Sequence, residues 1–144
     1  MKKMVLTLWV LGAGLAAQAA EPVYAKDGAA IGGYDPVAYF TVGKPTKGKA
    51  EIEAEWKGAR WRFSTPEHRD AFKAEPTRYA PQFGGYCAYG LTKGYAAQTE
   101  PDAWKIVNGK LYLNYDKEVQ KLWEKGLPAI IAEGEKHWPA ALAK

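Results

Sequence analysis

Residues 50–63 alternate between apolar and charged side chains, and this pattern limits the fold more than any other feature of the chain. Before Lys57-Gly58 the charged positions are all glutamates, and after it they are Arg60 and Arg62. A period of two indicates strands, and the Lys-Gly pair between them indicates a turn. An acidic row opposite a basic row favours antiparallel pairing by a few tenths of a kcal/mol for each pair. The pattern therefore predicts a hairpin with one aromatic face.

A second hairpin is predicted around Asn108-Gly109. Both residues tolerate a positive φ, so this dipeptide is favoured in type I′ turns. Residues 103–107 and 110–114 flank it with apolar and aromatic side chains that are typical of strands. Two hairpins imply a small antiparallel sheet.

Helix starts are marked by capping residues followed by proline. Asp35-Pro36 predicts a short helix that closes near Gly43, and Thr65-Pro66 predicts one that ends near Ala74. Later helices are predicted after Asp116 and from near Pro128. The predicted fold class is therefore α+β: a small antiparallel sheet built from two hairpins, packed with several short helices.

The first 19 residues have the pattern of a signal peptide. Lys2 and Lys3 precede a short apolar run, and Ala17-Gln18-Ala19 matches a signal-peptidase site. The alternative is an uncleaved membrane anchor, but the run is shorter than the ~20 residues that span a bilayer. The short run and its lysines predict a bacterial protein that is periplasmic or secreted, with no stable membrane anchor after cleavage.

Composition supports one domain in the rest of the chain. The chain has 144 residues, of which 47% are hydrophobic and 13% aromatic, enough for a dense core. Residues 20–33 are predicted to form an extended arm and residues 34–140 the domain. The net charge of +4 includes the two leader lysines, and no block of like charge is present. Nucleic acid is therefore not expected as a partner.

The sequence has few signatures of chemistry. It has no nucleophile elbow, phosphate-binding glycine loop, Cys-x-x-Cys or zinc-protease motif. Their absence favours a role other than catalysis, although catalysis stays open. With one Cys and two His, any site has to use Cys87, His68, His137, carboxylates or tyrosines.

Cys87 is the first candidate site residue. It follows two glycines in residues 81–90, which we interpret as a glycine-rich and aromatic loop. A single cysteine cannot form an internal disulfide, so in an exported protein it is a buried inert thiol, a thiol bonded to a partner, or a metal ligand. The nearby tyrosines are interpreted as core residues.

His68 is the second candidate. It lies at about the third position of the predicted helix, where the helix dipole favours a neutral ring that can bind a metal. A surface or capping role is the alternative. His137, beside Trp138 near the C-terminus, is interpreted as structural or exposed.

Several motifs, in this order, resemble the YHS domain, and in particular the exported single-domain branch of that family. They are Tyr34-Asp35-Pro36-Val37-Ala38-Tyr39-Phe40, residues 56–64, Phe72-x-x-x-Pro76-x-x-Tyr79, Gly84-Gly85-Tyr86-Cys87-Ala88 and residues 104–115. The resemblance covers about residues 30–138. It implies a small α+β unit and an association with metals, because related domains accompany copper and heavy-metal transporters and metal-dependent oxygenases.

The chain departs from the metal-handling members of that family at three positions. Where those relatives have cysteines, this sequence has Ala38, Ser64 and His68. Only His68 retains a side chain that can bind a metal, and Cys87 lies in a segment shared with the exported branch.

These observations predict a metal site formed by Cys87 and His68, with copper as the first choice and zinc as the second, for trafficking or tolerance. Thiolate and imidazole suit these ions better than magnesium or calcium. Two ligands bind weakly, so water, a carboxylate or a second subunit completes the site, for example in a homodimer that pairs two Cys87 thiolates. A periplasmic protein partner is the other option, and no organic cofactor is implied. Two alternatives stay open: a thiol-based redox protein that uses Cys87, and a non-catalytic interaction module.

Overall fold

The computed structural model describes residues 20–144. The predicted signal peptide, residues 1–19, lies outside the described residues. Within residues 20–144, no helix is both long enough and apolar enough to cross a membrane.

Residues 20–144 form six short strands and six short helices. The strands are β1 (Ala25–Lys26), β2 (Ala29–Ala30), β3 (Lys49–Trp56), β4 (Ala59–Phe63), β5 (Trp104–Val107) and β6 (Lys110–Leu113). The helices are α1 (Ala38–Thr41), α2 (Pro66–Ala74), α3 (Pro76–Tyr79), α4 (Ala88–Thr92), α5 (Lys117–Glu124) and α6 (Ala129–Glu135). Three 3-10 turns cover Ile31–Gly33, Gln82–Gly85 and Ala140–Ala143.

The α+β fold class predicted from the sequence is confirmed. The strands pair as three antiparallel hairpins, β1–β2, β3–β4 and β5–β6. In the described residues each hairpin is a separate two-stranded sheet, so the two predicted hairpins are not joined edge to edge. They contribute to the fold through the packing of their side chains.

The β3–β4 hairpin has the predicted register. Glu53 pairs with Arg62 and Glu55 with Arg60, so the acidic row faces the basic row. The Arg62–Glu53 salt bridge is 3.3 Å long. On the other face, Trp61 and Phe63 are completely buried. The second predicted turn is confirmed as well, since Asn108 and Gly109 have φ values of 51° and 73°.

Strand β6 separates two hydrophobic cores. Leu111 and Leu113 belong to the first core, which contains the aromatic face of the β3–β4 hairpin. Tyr112 lies between them and belongs to the second core, together with Phe83 and Trp123. Because successive strand residues point to opposite faces, one strand serves both cores.

The helix starts predicted at Thr65 and at Asp116 are confirmed by their caps. Thr65 Oγ1 accepts a hydrogen bond from His68 N at 3.1 Å, and Asp116 Oδ1 accepts one from Val119 N at 2.8 Å. Each cap satisfies a backbone donor that has no partner inside its helix.

Two segments contain more structure than predicted. The arm of residues 20–33 contains the β1–β2 hairpin, because Asp27-Gly28 turns the chain with φ values of 55° and 77°. The segment at 81–90 contains a 3-10 turn and the start of α4, because the Cys87 sulfur accepts a hydrogen bond from Gly90 N at 3.4 Å. Sulfur is not among the usual capping atoms, so this helix start was not predicted.

Candidate functional site

Asp35 is a completely buried carboxylate that organises the start of α1. Its Oδ1 accepts hydrogen bonds from Val37 N at 2.9 Å and from Ala38 N at 3.2 Å. Val37 and Ala38 lie two and three residues after Asp35. The hydrogen bonds give acceptors to their backbone N–H groups, which have no partner inside the helix. The helix itself begins at Ala38 with Val37 as its N-cap, so the prediction that Asp35 is the N-cap and Pro36 the first helical residue is wrong. Asp35 instead binds the turn that leads into α1.

The other oxygen of Asp35 joins distant parts of the chain. Its Oδ2 accepts hydrogen bonds from Ser64 N at 2.8 Å and from Ser64 Oγ at 2.7 Å. The same oxygen lies 2.7 Å from His68 Nδ1. Since Ser64 follows β4 and His68 lies in the first turn of α2, one carboxylate ties α1, β4 and α2 together.

The His68 ring is held at both nitrogens. An ionised carboxylate only accepts hydrogen bonds, so Nδ1 donates to Asp35. Nε2 lies 3.1 Å from the hydroxyl oxygen of Thr41, on α1. With the proton on Nδ1, the neutral ring has its lone pair on Nε2. The His68 side chain is 17% exposed, so the ring lies at the edge of the protein surface.

Cys87 lies in a different environment. It is only 2% exposed, and its sulfur accepts a hydrogen bond from Tyr115 N at 3.2 Å as well as the one from Gly90 N. Burial raises the pKa of the Cys87 thiol, and this effect outweighs the backbone hydrogen bonds to the sulfur, which lower it. A buried thiol with a raised pKa is typical of an unreactive structural cysteine.

Asn114 is a buried partner of this cysteine. It directly follows β6, is completely buried, and accepts a hydrogen bond from Tyr89 N at 3.0 Å through Oδ1. The Cys87 thiol donates to the same oxygen at 3.6 Å. Within the described residues, Nδ2 of Asn114 has no hydrogen-bond partner. Cys87 therefore holds the start of α4 against the end of β6.

The two candidate residues have separate sets of partners. His68 contacts Asp35, Ser64, Thr65 and Thr41 through hydrogen bonds, whereas the sulfur of Cys87 contacts Gly90, Asn114 and Tyr115. In the described part of the chain, no hydrogen bond joins the two sets. In residues 20–144, no group of three or more His, Cys, Asp and Glu side chains is positioned to hold a metal ion.

Three residues of these clusters were not predicted as partners of His68 or Cys87. Asp35 was predicted only as a cap and Asn114 only as a strand residue, and no prediction included Thr41. The Asp-Pro pair reveals a helix start, but no local pattern shows that the second carboxylate oxygen meets a histidine 33 residues away. His137, which was interpreted as structural or exposed, is partly buried.

Comparisons with protein-family models, with curated proteins and with solved structures give no match to this chain.

Proposed function

We propose that this chain is an exported protein of the YHS type that binds a transition metal ion through His68, copper first and zinc second, for trafficking or tolerance. The observation that carries the proposal is the 2.7 Å contact between His68 Nδ1 and Asp35 Oδ2. Histidines that bind metals almost always donate their other ring N–H to a carboxylate, a carbonyl or water.

This contact prepares Nε2 for a metal in two ways. It selects the tautomer that leaves the lone pair on Nε2, and it fixes the orientation of the ring. Thr41 is the present neighbour of Nε2, and its hydroxyl also lies 3.3 Å from the carbonyl of Val37. When a metal ion replaces the hydroxyl at Nε2, the hydroxyl can therefore donate to the carbonyl of Val37 instead.

The ligand type supports copper as the first choice. Imidazole binds copper, zinc, iron and nickel, and among divalent ions Cu²⁺ is held most tightly by a given nitrogen site. One imidazole alone binds weakly, so a second copy of the chain or a periplasmic partner supplies further ligands. A twofold dimer would bring two His68 side chains to one ion.

The burial of Cys87 weighs against the other predicted arrangements. A metal binds the thiolate, and burial raises the pKa of this thiol. A dimer that pairs two Cys87 sulfurs needs both sulfurs at the protein surface. Only 2% of Cys87 is exposed, so the sulfur is not available for such pairing. The same burial weighs against the redox alternative. We therefore assign Cys87 a structural role in the proposal.

The test is a titration of the full chain, produced with its own leader and purified without an affinity tag. Cu(II) and Zn(II) are titrated into the wild type and into His68→Gln, with bound metal measured by mass spectrometry and calorimetry. We expect stoichiometric copper binding that His68→Gln loses. His137→Gln is the matched control, because it removes the other imidazole, for which no carboxylate contact is found in residues 20–144.

Cys87→Ser separates the two candidate ligands. We expect this variant to bind copper like the wild type. If Cys87→Ser loses the metal and His68→Gln keeps it, the assignment of the ligand is wrong. If the folded wild type binds neither ion, the metal function is wrong. The mass of the purified protein also tests the predicted cleavage after Ala19.

A further inference from the structure

A cleft with a volume of about 510 Å³ lies between the β3–β4 hairpin and both ends of the described chain. Its walls include the aromatic rings of Trp56, Trp61, Phe83 and Trp138. Trp61 and Phe83 are buried in the cores, whereas Trp56 and Trp138 are partly exposed. Clefts of about 300–1,000 Å³ with mostly apolar walls are typical of sites for small organic molecules.

The cleft is held open by backbone contacts between its walls. Tyr24 N donates to the carbonyl of Gly84 at 2.8 Å, and Ala20 N donates to the carbonyl of Leu142 at 2.6 Å. The Gly84 backbone, with φ of 63°, packs so closely on the carbonyl of Pro22 that a Cβ atom at Gly84 would overlap it. These contacts join the N-terminal arm, the turn at Gly84 and the C-terminal segment, so the cleft is formed before any ligand arrives.

Among the described residues that line the cleft, Lys57 is the only charged one. Its ammonium group lies 4.7 Å from the centre of the Trp56 ring, at the turn of the hairpin. Within residues 20–144, Lys57 forms no salt bridge. Glu21 and Arg60 lie with Lys57 along a smaller neighbouring cleft. The large cleft thus combines aromatic walls with one uncompensated positive charge at its rim.

We infer that this cleft binds a small aromatic carboxylate. The rings of Trp56 and Trp138 offer faces and edges on which a planar ligand can stack. The carboxylate then meets the ammonium group of Lys57 in a charge-assisted hydrogen bond. This inference rests on different residues from the proposed metal site, so either can fail without the other.

Calorimetric titration with 2-naphthoate tests the inference on the full chain. The neutral 2-naphthamide keeps the ring and removes the charge, and decanoate keeps the charge and removes the ring. We expect naphthoate to bind about fivefold more tightly than naphthamide, because a partly exposed ion pair contributes about that factor. We also expect it to bind more tightly than decanoate, because the flexible alkyl chain cannot stack on the tryptophan rings. Equal binding of naphthoate and naphthamide, equal binding of naphthoate and decanoate, or no binding of naphthoate up to millimolar concentration would overturn the inference.

Variants locate the binding site. Lys57→Gln should lower the naphthoate affinity about fivefold and leave the naphthamide affinity unchanged. Lys110→Gln is the matched control. Lys110 is an exposed lysine beside the turn of the β5–β6 hairpin, and it does not line the cleft. Trp138→Leu should weaken the binding of both aromatic compounds. If Lys57→Gln and Trp138→Leu both fold, as judged by thermal melting, and bind naphthoate like the wild type, this cleft is not the site.

Discussion

The carboxylate of Asp35 lies 2.7 Å from Nδ1 of His68, although 33 residues separate the two along the chain. Asp35 is completely buried, whereas the His68 side chain is 17% exposed. A buried carboxylate thus holds a ring that reaches the surface. The same carboxylate accepts backbone hydrogen bonds that begin α1, so the position of His68 depends on the local fold around Asp35.

Asp35→Asn should therefore destabilise the protein strongly. The amide replaces one accepting oxygen by a donor, which faces other donors at Ser64 and His68 inside the protein. We expect a loss of about 2–3 kcal/mol in the free energy of unfolding, measured by urea denaturation. The control is Asp70→Asn, because the side chain of Asp70 is 68% exposed. A loss below about 1 kcal/mol at Asp35 would contradict its central role.

Cys87 should be protected from alkylation in the folded protein. Its 2% exposure and raised pKa both reduce the fraction of accessible thiolate. Reaction with iodoacetamide at pH 8 should be at least about a hundredfold slower in buffer than in urea, because it requires opening of the fold. Loss of free thiol is followed by mass spectrometry. Similar rates in buffer and in urea would instead support the redox alternative.

The raised pKa of Cys87 also predicts how stability depends on pH. The ordinary value is 9.0, and burial is the first cause of the shift in the folded state. Above that value the unfolded chain releases the thiol proton while the folded chain keeps it, so stability falls as the pH rises from about 9 through the folded pKa. Below that window the contribution is fully present.

The Cys87→Ser variant isolates this effect. Buried tyrosines, including Tyr39 and Tyr112, have pKa values raised above 10.0 by burial, and they add a similar loss at higher pH. Serine does not titrate in this range. We therefore expect urea denaturation between pH 8 and 10 to show a steeper loss of stability for the wild type than for the variant. Parallel curves would mean that the thiol has the same pKa in both states.

Gly84→Ala should cost much more stability than Gly109→Ala. Both glycines have a positive φ, 63° and 73°, so alanine is strained at either position. A Cβ at Gly109 meets nothing within 4 Å, whereas at Gly84 it overlaps the carbonyl of Pro22. We expect a loss of about 1 kcal/mol at Gly109 and at least about 3 kcal/mol at Gly84, measured by thermal unfolding. Equal losses would show that the N-terminal arm does not pack tightly against Gly84.

Much of the local structure was predicted correctly because its causes lie within a few residues. The Thr65-Pro66 start of α2, the Asn108-Gly109 turn and the pairing of Glu53 with Arg62 each follow from neighbouring residues. The β1–β2 hairpin in the N-terminal arm was not predicted, although Asp27-Gly28 is a turn dipeptide like Asn108-Gly109. The cap formed by the Cys87 sulfur had no such signal.

The candidate site was predicted only in part. His68 and Cys87 were chosen for their chemistry, and their partners were not predicted. Asn114 lies 27 residues from Cys87, and no local pattern relates them. The predicted export, metal function and membership of the YHS family remain predictions.

The sequence by itself determined the hairpins at Lys57-Gly58 and Asn108-Gly109 and the helix starts at Thr65 and Asp116, because backbone hydrogen bonds and caps act over a few residues. Only the tertiary structure decided which side chains meet. Strand β6 places Leu111 and Leu113 in one core and Tyr112 in the other, and this packing sets α1, α2 and α4 in place. Asp35 thus reaches His68, and Cys87 lies buried beside Asn114, because the burial of apolar surface brings together segments that are far apart in the sequence.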